Sequence, residues 1–376
     1  MILFPVLIYI DTIQFHKLSK KSAPTIVLEE EAIGSLLYHA SETVRSLAFS
    51  ALVSSSSSIR PLSPVALKHL KAHMSILFSE TDAKIRNEIL SNTKHLIERL
   101  RGATAFLVRE RENLSFQLRP NHPLPPEQQQ KAEQLLSETQ GLLRSHESFI
   151  ECYLEFILGE LIPTASYQRH ITSLKAIYLL LRSGILEQNS VSPLPRASNN
   201  ATVWPYSLDF FTPGVVRLLL DLVMDPFEDV RGGTTSILKL ASPCHFVIRP
   251  EELFDGALST RSAEQAFGNN SQVTANLPVV SNVSAHCKSI DHSLKLLRVF
   301  IEHAEEASKR TGRADYADGV ARSYELLYGL LPSADLRIEL VCQLVDDLEL
   351  KVGIAEGNLG QAVVEAPVHG NFAALK

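Results

Sequence analysis

Arg231, set behind the acidic turn DPFEDV and in front of Gly232-Gly233, has the residue types that could hold a phosphate. A guanidinium supplies paired donors to an anion, and glycines let backbone amides approach it. The spacing that such chemistry requires is absent. Neither G-x-G-x-x-G nor G-x-x-x-x-G-K-[ST] occurs, so the sequence gives no argument for a nucleotide or S-adenosylmethionine site. The 13 histidines form no H-E-x-x-H, and there is no G-x-S-x-G elbow and no EF-hand loop. The carboxylate clusters LEEEA (28–32) and VDDLEL (345–350) lie on helical patterns and read as solvated faces. The 4 cysteines are far apart with no C-x-x-C pair, which predicts reduced thiols and no zinc site. The expectation is a chain without an enzyme active site, a metal or a cofactor of its own.

Binding chemistry is better represented. Residues 94–119, KHLIERLRGATAFLVRERENLSFQLR, carry 6 Lys/Arg against 3 Glu, and residues 166–182 carry Arg169, Lys175 and Arg182 with no acid. Arg99, Arg101, Arg109, Arg111, Arg169 and Lys175 are therefore the candidates for RNA phosphate contact. The competing reading is an ordinary solvated helix face. The net charge of -6 makes any such surface local rather than global.

The elements that position these residues are helices. SYQRHITSLKAIYLLLRSGIL (166–186) places Tyr167, Ile171, Leu174, Tyr178 and Leu181 on one stripe, with Gly184 as an end signal. Residues 125–162 read as one or two long helices, and 317–352 as two helices broken at Pro332-Ser333. No stretch alternates apolar and polar residues long enough to predict a sheet. One frame recurs: a polar or acidic turn, an aliphatic residue, then arginine. Its four copies carry Val44-Arg45, Ile85-Arg86, Val230-Arg231 and Leu336-Arg337, with apolar residues mostly four, five and eight positions after the aliphatic one. The second copy departs at Thr93, the third at Thr234 and Thr235. Helices are predicted to start near Glu42, Ala83, Glu228 and Ala334. The separation of 41 residues between Arg45 and Arg86 fits HEAT/armadillo repeats, so the predicted fold class is all-α, an irregular HEAT/armadillo-like α-solenoid. In such an array Arg45, Arg86, Arg231 and Arg337 are structural, each pairing with a turn acid between successive repeats. For Gly232-Gly233, close approach of another backbone is one explanation and a glycine-rich phosphate loop the other, the latter without its motif.

The predicted organisation is a helical-repeat segment over 1–186, a mobile loop over 187–203, a second helical-repeat segment over 204–352 and an irregular tail over 353–376. Residues 259–282 read as a further polar insertion. The opening MILFPVLIYID has no basic flank and no cleavage signal and is too short to span a bilayer. It reads as a buried helix whose partner lies upstream, as in a piece of a longer protein. The N-x-[ST] matches at Asn113, Asn200, Asn269 and Asn282 then read as chance.

Four segments in order carry a family resemblance: residues 80–103, 166–181, 204–242 (WPYSLDFFTPGVVRLLLDLVMDPFEDVRGGTTSILKLAS) and 310–331. Together they resemble fungal members of the thyroid adenoma-associated (THADA) family, which are large armadillo-like solenoids. The resemblance implies a cytoplasmic, non-catalytic scaffold subunit that binds tRNA and an FtsJ-type tRNA 2'-O-methyltransferase for anticodon-loop ribose methylation. It places S-adenosylmethionine on that partner, and no membrane is involved. Animal relatives are linked instead to calcium-pump regulation. The family's downstream RRSAGLP string is absent, so the chain reads as an internal piece, and no residue of that motif carries over. The alternative is a general HEAT/armadillo protein-interaction scaffold without RNA binding.

Overall fold

The computed structural model describes residues 29–55, 59–119, 125–186, 204, 205, 207–246 and 294–357, with side chains of the last helix described to residue 346. The opening apolar run, the loop 187–203, the insertion 259–282 and the tail beyond 357 lie outside the described residues. Every regular element described is a helix; the one β feature is an isolated parallel bridge between Leu186 and Leu208.

The chain divides into two compact units, residues 1–158 with 197–206 and residues 159–196 with 207–376. The first holds α1 (Glu30–Leu36), α2 (Glu42–Val53), α3 (Pro64–Phe78), α4 (Ala83–Gln117) and nearly all of α5 (Pro126–Gly159). The second holds α6 (Tyr167–Leu180), α7 (Pro213–Val223), α8 (Glu228–Leu238), a short 3-10 turn (Pro243–Phe246), α9 (Lys295–Thr311), α10 (Ala314–Leu330) and α11 (Ala334–Gly357). The four helices predicted from the arginine frame begin at Glu42, Ala83, Glu228 and Ala334. The long pattern at 125–162 is one helix, and the Pro332-Ser333 break separates α10 from α11 as expected. Helix α11 continues through Gly357, past the expected onset of the tail.

Local chemistry explains the helix ends. Ser63, Asp82 and Thr212 accept backbone N–H groups at the starts of α3, α4 and α7, and Pro64 and Pro213 occupy the first helical position where a missing N–H costs nothing. Helix α6 ends in a wide turn, Leu181–Ile185, in which Gly184 takes φ 88°. A left-handed residue there is strained for anything but glycine.

Packing is mainly between helices one or two places apart in the sequence. In the first unit α2 packs on α1, α3 and α4; in the second α8 packs on α6, α7 and α10, and α10 on α9. Leu37, Ala48, Ile89, Ile157, Leu70 and Phe78 are among the fully covered side chains of the first core, with Phe156 edge-on to Phe78 at 5.3 Å. Val216, Leu219, Val230, Ile237, Phe300 and Val320 do the same in the second. The expected close approach at Gly232-Gly233 does not occur. A Cβ at either would meet only side-chain atoms, at 3.5 and 3.6 Å. The tight crossing is at Gly319 of α10, where a Cβ would lie 2.8 Å from the Val223 carbonyl of α7. Stacking of helices near one another in sequence is the local pattern of an α-solenoid.

Candidate functional site

Each frame arginine is the fourth residue of its helix, and each reaches back to the turn that precedes it. Arg45 Nη1 donates to the His39 carbonyl at 2.7 Å and the Ala40 carbonyl at 3.0 Å. Arg86 Nη1 donates to the carbonyls of Glu80 and Thr81, and Arg231 Nη1 to those of Asp225 (2.7 Å) and Pro226 (3.0 Å). Arg337 Nε donates to the Leu331 carbonyl at 2.9 Å and lies over the Tyr328 ring. The acceptors sit six and five residues upstream in three copies and six upstream in the fourth. A chain that turns from one helix into the next leaves such carbonyls without intrahelical donors, and one guanidinium satisfies them in pairs.

The carboxylate contacts expected of these arginines form in two copies. Glu80, 4% exposed and located in the turn before α4, pairs with Arg45 from the preceding repeat. Its own carbonyl accepts from Arg86, so this one residue joins two successive arginines. Arg231 Nε pairs with Asp318 at 2.5 Å, but Asp318 lies inside α10 rather than in a turn. Burial raises the Asp318 pKa, while Arg322 and Arg231 outweigh it and hold the carboxyl below its usual range.

A fifth copy lacks arginine. His170 is the fourth residue of α6 and is buried. Its Nε2 lies 2.9 Å from the Ile162 carbonyl and its Nδ1 3.7 Å from Asp225 Oδ2. Asp225 also accepts the Phe227 N–H at 2.8 Å, and its carbonyl accepts from Arg231. His170, Asp225 and Arg231 therefore repeat the arrangement of Arg45, Glu80 and Arg86. Burial lowers the His170 pKa, but the Asp225 carboxylate and Ile162 carbonyl together outweigh it and raise the net value. The sequence frame was defined by the letter Arg, so this copy was missed; position four after the Ser166 start was the available signal.

The six candidate phosphate contacts separate. Arg99 is 8% exposed and donates to the carbonyls of Leu52, Val53 and Ser54 at the end of α2 and of Arg60 and Pro61 beyond it, at 3.0–3.4 Å. Five internal acceptors on one guanidinium remove it from the phosphate candidates. Arg169 holds the buried Glu160 through two nitrogens, which removes it likewise. Arg101 and Arg111 are half-buried; Arg109 and Lys175 are exposed. Arg109 and Arg111 are two residues apart on α4, about 200° around the helix, so they do not serve one phosphate path. A window's charge count cannot register which face each cation occupies.

His146 Nε2 lies 3.1 Å from the Leu62 carbonyl and its Nδ1 3.4 Å from Thr104 Oγ1. Burial lowers its pKa and nearby Arg99 adds to this, against the Leu62 carbonyl, so it is held neutral. Among the described residues, no group of three or more His, Cys, Asp or Glu is placed to hold a metal ion, and no helix is long and apolar enough to cross a membrane.

Residues 11–232 match the family model described as Trm732, TPR repeats, more than half of the chain. TPR and HEAT/armadillo repeats are both stacked helix pairs, so this agrees with the helical-repeat reading. The chain is also similar to the tRNA (32-2'-O)-methyltransferase regulator trm732 of Schizosaccharomyces pombe, at 26% identity over 98 residues. That stretch is 26% of this chain and 6% of the relative. No solved structure matches.

Proposed function

From the premise that the chain belongs to the Trm732 TPR-repeat family, we propose that it is a non-catalytic helical-repeat regulator of tRNA ribose 2'-O-methylation. The family match over residues 11–232 carries this reading, and the printed role of the fission-yeast relative supplies the reaction. The regulator binds an FtsJ-type methyltransferase, and that partner holds S-adenosylmethionine and performs the transfer. The regulator also contacts tRNA and works in the cytoplasm. Arg109 and Lys175 are the exposed remainder of the phosphate candidates, with Arg101 and Arg111 partly accessible.

Deletion of the gene, followed by mapping of ribose methylation in the tRNA anticodon loop, tests the role. Loss of methylation that the full chain restores is expected. Methylation that persists at the parental level contradicts it. The second reading, a protein-interaction scaffold without RNA contact, is favoured by the internal commitment of Arg99 and Arg169. It predicts that the purified protein retains the methyltransferase and shows no affinity for tRNA on its own.

A further inference from the structure

In the second unit α8 lies between α6 and α10. Gly233 faces Leu174 of α6, and Arg231 faces Asp318 of α10. The side of α8 turned away from the core therefore carries Gly232, Ser236 and Lys239, at i, i+4 and i+7. A Cβ on Gly232 would meet only the Arg322 guanidinium, at 3.5 Å, so this side is a shallow floor. His170 of α6 holds the position that Arg231 holds in α8, which sets Lys175 and Tyr178 level with Ser236 and Lys239. Lys175 is exposed and Tyr178 half-buried. Arg182, exposed in the wide turn that ends α6, lies over the Tyr178 ring at 5.9 Å.

The charges on this side are unevenly matched. Its carboxylates are engaged within it: Asp229 by the Tyr167 hydroxyl, Asp318 by Arg231 and Arg322, Glu228 by Arg322 and Glu325 by Lys239. Residues 166–182 contain no acid, and among the described residues neither Lys175 nor Arg182 has a carboxylate partner. Two unmatched cations with an aromatic ring between them, beside a floor of small side chains, suit a strand that carries phosphates and flat bases. We propose that this side of α6 and α8 binds unpaired RNA nucleotides, with phosphates at Lys175 and Arg182 and a base stacked at Tyr178. Arg182 covers part of the ring, and its planar guanidinium extends the same stacking surface. The proposal deepens the tRNA contact put forward above and rests on that reading; Tyr178 and Arg182 are the residues it adds.

Fluorescence anisotropy of a labelled 12-nucleotide oligouridine, titrated with the full chain at several salt concentrations, tests this. The parent binds, and Lys175→Gln combined with Arg182→Gln makes the log–log salt slope shallower by about 1.4, two single-strand phosphate contacts. Tyr178→Ala weakens binding about tenfold, whereas Tyr178→Phe keeps the ring and binds as the parent does. Ser236→Glu, an exposed change that leaves the core untouched, weakens binding by placing a carboxylate on the floor. No binding by the parent, or parental affinity and slope in the charge variants and in Ser236→Glu, overturns the site. Heparin that competes as well as unlabelled RNA, with no loss in Tyr178→Ala, also overturns it, because any polyanion would then suffice. So does a chain that binds no RNA but loses a co-expressed methyltransferase when Lys175 and Arg182 are neutralised, since the face is then a protein interface. The titration contains no methyltransferase and reads no methylation. A chain whose deletion lowers methylation but which shows none of these responses keeps the regulatory role and loses this site.

Discussion

The two units tie their inter-helix turns by the same device, with histidine in place of one arginine and aspartate in place of glutamate. In the first, Arg45 holds the Glu80 turn from behind and Arg86 holds its carbonyl from ahead. In the second, His170 stands where Arg45 would, and Asp225 and Arg231 complete the set. An arginine keeps its charge at every physiological pH, whereas a histidine can lose it. The first tie is therefore permanent and the second is conditional on pH. A buried histidine of the first unit sharpens the contrast, since burial lowers the pKa of His146, whereas the Asp225 carboxylate and the Ile162 carbonyl outweigh burial and raise that of His170.

The largest expected effect is in the first unit. Arg99→Ala strands five carbonyls and should destabilise by about 3–5 kcal/mol, as for breaking a buried charged network. Thermal unfolding of the variant checks this; a loss below about 1 kcal/mol would show that water replaces the guanidinium.

The next effect separates the units by pH. The folded-state pKa of His170 is raised, so its stabilisation is complete below the unfolded value, about 6.5, and is lost as pH rises through the folded value. Hydrogen exchange in α6 and α8 should accelerate on that rise, and His170→Gln should abolish the response. His146 has the opposite sign. Its folded pKa is lowered, so stability is lost as pH falls from the unfolded value toward the folded one. Exchange in α4 and α5 should accelerate on acidification, and not in His146→Gln. Responses of the same sign in both units would break the comparison.

The smallest effect belongs to an exposed pair that joins α8 to α10. Lys239 and Glu325 are 2.6 Å apart but 45% and 55% exposed. Their coupling in a double-mutant cycle should be about 0.2–1 kcal/mol and should fall with added salt.

Much of this was legible because period and punctuation are local. Asp82, Pro64 and Pro332 mark helix ends by their own chemistry, and the aliphatic-arginine frame located four helix starts. The target of each arginine was only half legible. Carboxylates have letters, so pairing with an acid could be anticipated, whereas backbone carbonyls belong to every residue and leave no trace in composition. Arg99 and Arg169 were misread for a related reason: basicity within a window does not reveal that a cation points inward. Gly319 is a further case, since its need for a missing Cβ arises from Val223 about a hundred residues away in sequence.

The account rests on the claim that the fourth-position side chain of these helices is structural. Urea unfolding of Arg231→Gln, run beside a tRNA titration of the same protein, tests it most directly. Arg231 is buried against a half-exposed Asp318, so screening reduces the ion-pair part, and the two carbonyl bonds bring the expected loss to about 1–3 kcal/mol. The predicted result is this loss of stability, with tRNA affinity of the folded fraction equal to that of the parent. Unchanged stability together with lost tRNA affinity would contradict it and make Arg231 a ligand contact.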